Sequence, residues 1–392
     1  MESRSSVDDD AVKATNRFHA QELRGSLAVP LAKADRPAAT GGGLGDVLAT
    51  VGAGARQARG GGGGDVDAAL VWTPRARVRL TAAWSVAKEG VPDQQRAAPE
   101  YFGSPLVLFD FRTAEAVEIL PIRGGNPDLR APETERLSLT ASLGPFTAWG
   151  LSSNLSYQRV QSADAVGFLP ELTEDVEAAF PERIRRGADG RLISVDYRPI
   201  NLDSLLTESL GAGLNFQLPR PSGVAASEAT VLRVAFSHSL QLGNRVSLRA
   251  GLPQMDRLRG DGGGVSRQNA RLMLDARRGR WGANATARWR EGYRTRRAGG
   301  RDRADDLVLA SFTAVDLRLS FQMSSGAPPS ADAMRKPRPR GSDGLQLNLD
   351  VENLFDARQE ARLGDGVNAP GYGRDIQDPI GRRVRVTLQR RF

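Results

Sequence analysis

Aliphatic and polar residues alternate along many short stretches of this chain. The clearest stretch is 345–352, LQLNLDVE, in which every second residue is leucine or valine and the residues between them are polar or charged. The stretches 76–87 and 133–143 show the same period of two. Successive side chains of a β-strand point to opposite faces, whereas a helix would scatter the two sets around its circumference. The pattern therefore predicts strands that each have one apolar and one polar face.

About fourteen strands are predicted in this way, and their connections fall into two classes. Short turns near Pro74, Pro145 and Gly279 join paired strands, whereas long segments rich in glycine, proline and charge separate the pairs. Short turns on one rim and long loops on the other are typical of a transmembrane β-barrel. We therefore expect an all-β fold, an antiparallel transmembrane β-barrel of which this chain forms about 14 strands; the segment 324–343 is too long for its expected rim. The predicted strands are 21–30, 45–57, 64–73, 76–87, 133–143, 148–160, 203–218, 229–240, 244–251, 267–277, 281–293, 308–323, 344–353 and 381–392, and the long segments are 88–116, 161–202, 294–307 and 354–380.

Aromatic residues recur at a spacing that fits the thickness of an outer membrane. Trp281 and Trp289 lie eight residues apart on one face of a predicted strand, and Trp149 and Tyr157 repeat this spacing. Eight residues at ~3.3 Å each span about 26 Å, or roughly 20 Å of depth for a strand tilted by about 40°. Rings of aromatic residues border an apolar band of ~25 Å in such barrels. We predict that these four residues belong to aromatic girdles; a coincidence of spacing in a soluble sandwich is the alternative.

Composition narrows the classes of function. The chain has no cysteine and only two histidines, His19 and His238, which excludes thiolate chemistry and a multi-histidine metal site. The net charge is +8, but the basic residues are spread along the chain, which argues against a nucleic-acid partner. No apolar run reaches the ~18 residues of a membrane-spanning helix. We expect no catalytic site, no cofactor and no metal site.

Two local patterns that suggest chemistry have simpler interpretations. The glycine runs at 41–43, 60–64 and 262–264 do not continue into Gly-Lys-Ser/Thr, so they do not predict a phosphate-binding loop. His238 stands between Ser237 and Ser239, but neighbours on a strand point to opposite faces and cannot form a nucleophile–base pair. We interpret the glycines as flexible rim segments and His238 as a surface or interface histidine.

Charged residues at polar strand positions would form rows across the polar face. Arg288, Arg290, Asp316, Arg318 and Asp350 would all face the lumen of a barrel. We interpret these rows as ladders that solvate a wet interior, and the alternative is that they line a substrate path.

Three ordered motifs resemble the C-terminal part of the barrel of TonB-dependent outer-membrane receptors. The stretch LQLNLDVENLFD is similar to the family's penultimate strand and the turn that follows it, and DPIGRRVRVTLQRRF is similar to its closing Gly-Arg pair and final strand. GGNPDLRAPE, residues 124–133, resembles a segment that precedes a mid-barrel strand. The positions that match the motif around the last loop are Asn353, Leu354, Phe355, Asp356, Gly381 and Arg382.

The resemblance implies a fold, a location and a function. It implies an outer-membrane protein in contact with lipid. It also implies that the barrel assembly machinery recognises the terminal Phe392, together with Leu388, Val386 and Val384 on the same side of the last strand. It implies uptake of a scarce ligand of the siderophore, vitamin or oligosaccharide class, and no enzymatic activity. The TonB energy-coupling complex would act through a region N-terminal to this chain.

The domain organisation follows from these expectations. Residues 1–20 carry no strand pattern and no signal-peptide pattern and are expected to be disordered or loop-like, and residues 21–392 are expected to form the C-terminal part of a receptor barrel. Transporters of this kind have about 22 strands and a plugged lumen. We therefore expect a truncated chain, either a fragment or one part of a split gene. Two alternatives remain open: a passive porin-like channel, and a soluble basic β-protein that binds polyanions.

Overall fold

The structure, a computed structural model, is built almost entirely of β-strands. It describes residues 21–33, 44–58, 61–110, 112–113, 115–147, 149–170, 172–218, 229–297, 299–323, 344–373 and 380–391. The two α-helices are short, α1 (Asp93–Ala97) and α2 (Glu174–Ala179), and three 3-10 turns cover Pro181–Arg183, Arg257–Arg259 and Asp261–Gly263. Within the described part of the chain, no helix has the length and apolarity needed to cross a membrane. The predicted N-terminal segment 1–20 and the exceptional segment 324–343 lie outside the described residues.

The strands are numbered in chain order. The first twelve are β1 (Gln21–Ala32), β2 (Asp46–Ala58), β3 (Gly61–Arg75), β4 (Val78–Lys88), β5 (Tyr101–Phe102), β6 (Leu106–Asp110), β7 (Glu115–Arg123), β8 (Glu133–Leu143), β9 (Ser152–Gly167), β10 (Ile184–Arg186), β11 (Leu192–Asp196) and β12 (Ile200–Gln217). The remaining ten are β13 (Val231–Ser247), β14 (Met255–Asp256), β15 (Gln268–Arg278), β16 (Trp281–Arg290), β17 (Tyr293–Thr295), β18 (Leu307–Leu309), β19 (Phe312–Gln322), β20 (Gly344–Glu352), β21 (Ala361–Leu363) and β22 (Arg383–Arg391).

One antiparallel sheet of 14 strands dominates the fold and confirms the predicted class. Its order is β1-β2-β3-β4-β8-β9-β12-β13-β15-β16-β19-β20-β22, with the two-residue β14 beside β13. If the short strands within the long connections are left out, each strand of this path pairs with the next one in the sequence. Thirteen strands therefore form a meander, the connectivity expected when short hairpin turns alternate with longer connections.

The register keeps the two chemical faces separate across the sheet. A shift of one residue turns every side chain to the other face, so two adjacent rows of cross-strand partners show the separation directly. One row is Leu232, Ala276, Ala283, Leu319, Leu349 and Val386, and the next is Arg233, Asp275, Asn284, Arg318, Asp350 and Arg385. We call the first side of the sheet the apolar face and the second side the polar face.

Most of the connections separate into two rims, as predicted. Among the exceptions are the two-residue connection from β2 to β3, on the side of the long segments, and the longer connections from β1 to β2 and from β12 to β13, on the side of the short turns. The turns at 76–77, 144–151 and 279–280 join β3 to β4, β8 to β9 and β15 to β16 on one rim, which we call the short-turn rim. The segments 89–132, 168–199, 248–267, 291–311 and 353–382 lie on the opposite, long-loop rim. The last strand therefore runs from the long-loop rim to the short-turn rim.

One predicted pair of strands is a single strand in the structure. The stretches 229–240 and 244–251 were predicted as separate strands, but β13 runs through residues 231–247 without interruption. The register shifts here, since Ser209 pairs with Gln241 while Glu208 pairs with Gly243. The glycine thus marks a β-bulge, which is a common use of glycine inside a strand.

The best-packed apolar core lies in the long loops and not between the strands. Segments 89–132, 168–199 and 248–267 form what we call the loop cap, whose five-stranded sheet comprises β10, β11, β7, β5 and β6. Val176 and Val195 are fully buried there. In contrast, Leu139 and Leu155 on the apolar face of the main sheet are 44% and 48% exposed. A smaller sheet of β17, β18 and β21 stands over the C-terminal strands.

The two ends of the main sheet are open in the described residues. β1 pairs only with β2, and β22 pairs only with β20. Neighbouring strands of the path are antiparallel throughout. Because the path has thirteen strands, an odd number, its first strand β1 and its last strand β22 run in the same direction. Direct pairing of these two edges would therefore be parallel.

Candidate functional site

The apolar face of the main sheet carries aromatic residues near both of its margins. Toward the short-turn rim, Trp281 packs on Phe321 with ring centroids 4.6 Å apart, and Trp149 meets Phe216 edge-on at 5.8 Å. Toward the long-loop rim lie Tyr157 and Trp289, at the positions that the eight-residue spacing requires. The structure thus places Trp281, Trp289 and Tyr157 at two levels of the apolar face. Trp149 lies in the turn 144–151 before β9 begins and not on a strand as predicted, and its ring reaches Phe216 on the apolar face.

Sequence reasoning missed other members of these two levels. Trp84 lies on the apolar face near the long-loop rim, opposite Leu137, and Trp72 lies opposite Leu80, nearer the short-turn rim. Neither residue has a partner at the eight-residue spacing on its own strand. Their levels depend on cross-strand register, which the spacing within a single strand cannot show.

The polar groups of the aromatic residues near the long-loop rim form hydrogen bonds with carboxylates that lie still closer to that rim. The Trp84 indole N–H donates a hydrogen bond to Glu135 Oε1 at 2.8 Å, and the Tyr157 hydroxyl donates to Glu208 Oε1 at 3.3 Å. Both glutamates lie two residues closer to the long-loop rim than the residues that pair with these aromatics. Such rings, apolar in body and polar at the tip, suit a boundary between hydrocarbon and water.

Ionic residues on the apolar face begin beyond this upper level. Arg159 lies two residues past Tyr157, and its Nε is 3.6 Å from Glu208 Oε1. His238, which was predicted to be a surface or interface residue, lies on the apolar face, and its Nε2 is 3.1 Å from Gln268 Oε1. The apolar face is therefore bounded by a change from aliphatic to aromatic and then to charged side chains.

Paired charges cross the polar face in the C-terminal half of the sheet. Arg288 donates a hydrogen bond to Asp316, and Arg318 donates one to Asp350. Arg290 instead donates to the side-chain oxygen of Gln359 in the last loop. The predicted rows of charge are thus largely self-neutralised, which supports the interpretation of a solvated ladder.

The residues of the predicted loop motif meet at the end of β20. Asn353 and Asp356 both have a positive φ of 53°, and the Asn353 side chain holds the turn by accepting from Ala357 N and donating to Ala357 O, each at 2.8 Å. Its backbone N–H donates to Asp316 Oδ1 on β19 at 2.9 Å. The motif therefore locks the start of the last loop to the neighbouring strand.

The same turn also reaches the start of the last strand. Arg382 N donates to Asp356 Oδ1 at 3.1 Å, and Gly381 has a positive φ of 60°. A Cβ on Gly381 would overlap the Asp356 carboxylate. Leu354 N donates to Val315 O at 2.7 Å, whereas the Phe355 side chain is exposed.

The last strand presents its aliphatic residues on the apolar face. Val384, Val386 and Leu388 lie opposite Val351, Leu349 and Leu347 of β20 and are each more than 60% exposed. Phe392 lies outside the described residues. Its predicted role in assembly stays a prediction.

A buried ionic cluster holds the loop cap together. Arg186 donates to both oxygens of Asp110, at 2.8 and 3.0 Å, and to both oxygens of Glu177, at 2.9 and 2.8 Å. A further bond to Gly190 O at 3.0 Å uses the fifth guanidinium N–H. Asp110 is fully buried. The hydrogen bonds from Arg186 hold the pKa of Asp110 below its usual range despite this burial.

Comparisons with known proteins bear on the fold. No known family and no curated protein sequence matches the chain. Solved structures do match. One is the siderophore receptor PirA from Acinetobacter baumannii, at 11% identity and a TM-score of 0.53; the match includes 94% of this chain and 45% of the PirA chain. A double mutant of the ferric enterobactin receptor PfeA from Pseudomonas aeruginosa, at 17% identity and a TM-score of 0.53, covers 87% of this chain and 42% of its own.

The chain spans less than half the length of these receptors. At such low identity the likeness is one of fold. It agrees with the antiparallel meander, the two unequal rims and the separate apolar and polar faces described above. The chain thus has the fold of the β-barrel of TonB-dependent outer-membrane receptors, and it accounts for part of such a barrel.

Proposed function

We propose that this chain forms the C-terminal part of the barrel of an outer-membrane receptor that takes up a scarce ligand in a TonB-dependent manner. The observation that carries the proposal is the exposed apolar face bounded by aromatic residues. A soluble protein would bury Leu139 and Leu155, and it rarely exposes apolar patches of more than a few hundred Å². In a bilayer this face contacts hydrocarbon, while the polar face lines a wet lumen.

The open sheet supports the view that the barrel includes strands from outside this chain. In hydrocarbon the backbone groups of both edges need partners, so the sheet must close. Closure by antiparallel pairing requires an odd number of further strands, because β1 and β22 run the same way. A barrel of about 22 strands, as in plugged transporters, would need roughly nine more, which is odd.

The proposed ligand class rests on the comparison and on the polar face. The similar structures are a siderophore receptor and a receptor for ferric enterobactin. We therefore propose that the ligand of this protein belongs to the siderophore, vitamin or oligosaccharide class, with a siderophore as the first candidate. The protein is proposed to act as a transporter and not as an enzyme. Its partners would be outer-membrane lipid, the barrel assembly machinery and, through a preceding region, the TonB complex.

An uptake experiment tests the proposal. The complete protein that contains this chain is expressed in bacteria that lack their own siderophore receptors, and growth on a panel of ferric siderophores is measured under iron limitation. We expect at least one siderophore to restore growth, and only where TonB is intact. Entry that does not depend on TonB would contradict the proposal and favour a passive channel.

A further inference from the structure

Three arginines face one another on the polar face without carboxylates between them. Two rows of cross-strand partners define the place: Ser237, Arg271, Arg288 and Ala314 in one row, and Ser239, Asn269, Arg290 and Phe312 in the next. We call these eight residues the arginine grid. No acidic residue belongs to it, whereas the C-terminal ladder beside it alternates charge.

The arginine grid contains a like-charge pair that needs a compensating group. Arg271 lies directly opposite Arg288, and like charges in that position destabilise a pair of strands. Arg288 has Asp316 as a partner two residues farther along β19, but among the described residues no acidic side chain forms an ion pair with Arg271. Asp275 on the same strand is occupied by Arg277, at 3.7 Å.

The other members make the grid suitable for a ligand. Arg290 is fixed by its hydrogen bond to Gln359, so its guanidinium is held in position beside the row of Arg271. Ser237, Ser239 and Asn269 add hydroxyl and amide donors, and Phe312 adds an aromatic surface at the edge. Seven of the eight grid residues, all except Ala314, are among the ten that line a depression of about 470 Å³; the other three are His238, Ala270 and Trp289. This volume is within the range of ligand sites.

We propose that the arginine grid binds a ligand that carries a carboxylate on an apolar body. The two carboxylate oxygens lie between the guanidinium groups of Arg271 and Arg288, where the planar fork of arginine matches a two-oxygen anion. The body of the ligand lies against Phe312. Arg290 and the serine hydroxyls donate to the remaining lone pairs of the anion.

The position of the arginine grid would allow such a site to take part in ligand entry. Arg290 is the last residue of β16 and Phe312 is the first residue of β19, so the grid lies on the polar face at the base of the loop 291–311. A ligand that enters from the long-loop rim would meet it first among the charged rows. Its role in uptake rests on the proposed function, whereas anion binding does not.

Binding of benzoate to the complete protein in detergent micelles tests the proposal by ligand-observed NMR. Benzoate should bind, while benzamide, which has the same shape without the charge, should not. Arg271→Gln should weaken benzoate binding roughly tenfold or more, because a charge-assisted contact is lost. Arg277→Gln is the matched control, since Arg277 lies on the same strand and face and pairs with Asp275.

Two further measurements make the result decisive. Arg271→Lys keeps the charge but loses the planar fork, so it should bind benzoate more weakly than the parent and more tightly than Arg271→Gln. Benzoate should raise the thermal unfolding midpoint of the parent and leave that of Arg271→Gln unchanged. Equal binding of benzamide, or binding of benzoate to Arg271→Gln as tight as to the parent protein, would overturn the proposal, whether or not the protein transports any ligand.

Discussion

A single glycine allows the last long loop to return to the final strand. Gly381 has a φ of 60°, and the neighbouring Asp356 carboxylate occupies the space that a Cβ would need. For other residues this left-handed conformation costs about 1–2 kcal/mol. The Asp356 carboxylate in turn accepts from Arg382 N, so the glycine and the aspartate act together.

We predict that Gly381→Ala destabilises the assembled barrel by about 1–2 kcal/mol, because the alanine must adopt a left-handed conformation. The midpoint of urea unfolding of the complete protein in micelles measures the effect. Gly25→Ala is the matched control, because nothing lies within 4 Å of its Cβ position. Equal stability of the two variants would show that the turn does not constrain the barrel.

The sequence predicts the residues of this turn but not their bonds. Asn353, Asp356 and Gly381 were identified by resemblance, and the structure supplies the physical reason, since all three have a positive φ and meet at one place. The alternation in β20 likewise predicts correctly that Leu349 and Asp350 lie on opposite faces. Local patterns of period two and turn chemistry are visible within a few residues of sequence.

At the scale of elements, the loop cap depends on an arginine between two carboxylates. Arg186 joins Asp110 of β6 to Glu177 of α2, and its side chain is 11% exposed. This part of the fold could not be predicted from sequence, because Asp110 and Arg186 are 76 residues apart in segments without periodic patterning. The long segments were expected to be loops, and their sheet and core are tertiary structure.

We predict that Arg186→Met opens the loop cap, because it leaves the buried Asp110 without its ion-pair partner and leaves Glu177 with only the exposed Arg112, at 3.0 Å. Breaking a buried ion pair in this way costs about 3–5 kcal/mol. Limited proteolysis of the complete protein should then cut within residues 105–195. Arg191→Met is the control: Arg191 pairs with Glu115 at 3.1 Å, but both side chains are more than half exposed, so little change is expected.

The same cluster predicts how the loop cap responds to acid. The pKa of Asp110 is lowered from its ordinary value of 3.8 by the hydrogen bonds from Arg186. A lowered pKa stabilises the fold at pH values above the unfolded pKa, and this contribution is lost as the pH falls through the folded value. The protection factors of the backbone amides in β6 and β10, relative to intrinsic exchange at each pH, should therefore remain high at neutral pH and fall only below pH 3.8. A fall in these protection factors at pH 5 to 6 would contradict this assignment.

At the scale of the whole molecule, the main sheet is open, with β1 and β22 as its edge strands in the described residues. Both edges present unpaired backbone groups in the described residues, and their common direction prevents antiparallel closure of β22 on β1. A second copy in the same membrane orientation would not help, since it would again place parallel strands side by side. Closure of the sheet with antiparallel neighbours would therefore require an odd number of further strands.

We predict that the 392-residue chain, expressed alone with a signal peptide, neither folds into a stable barrel in detergent nor supports ligand uptake. Unsatisfied backbone groups at the two edges cannot be accommodated in hydrocarbon. Electrophoresis of unboiled samples is the measurement, and no monomeric heat-resistant band should form. A sharp band of that kind would show that the chain closes as a small complete barrel.

We propose that the apolar face contacts lipid and that the polar face contacts water. This chain has no cysteine, so Leu349→Cys and Asp350→Cys each give one unique thiol within it, and any cysteine elsewhere in the complete protein is first replaced by serine. Leu349 pairs with Leu319 and Val386 on the apolar face, and Asp350 pairs with Arg318 and Arg385 on the polar face. In outer membranes, the thiol at 349 should react only with a lipid-soluble maleimide and the thiol at 350 mainly with a water-soluble one. Equal reaction of the thiol at 349 with the water-soluble reagent would contradict the membrane assignment.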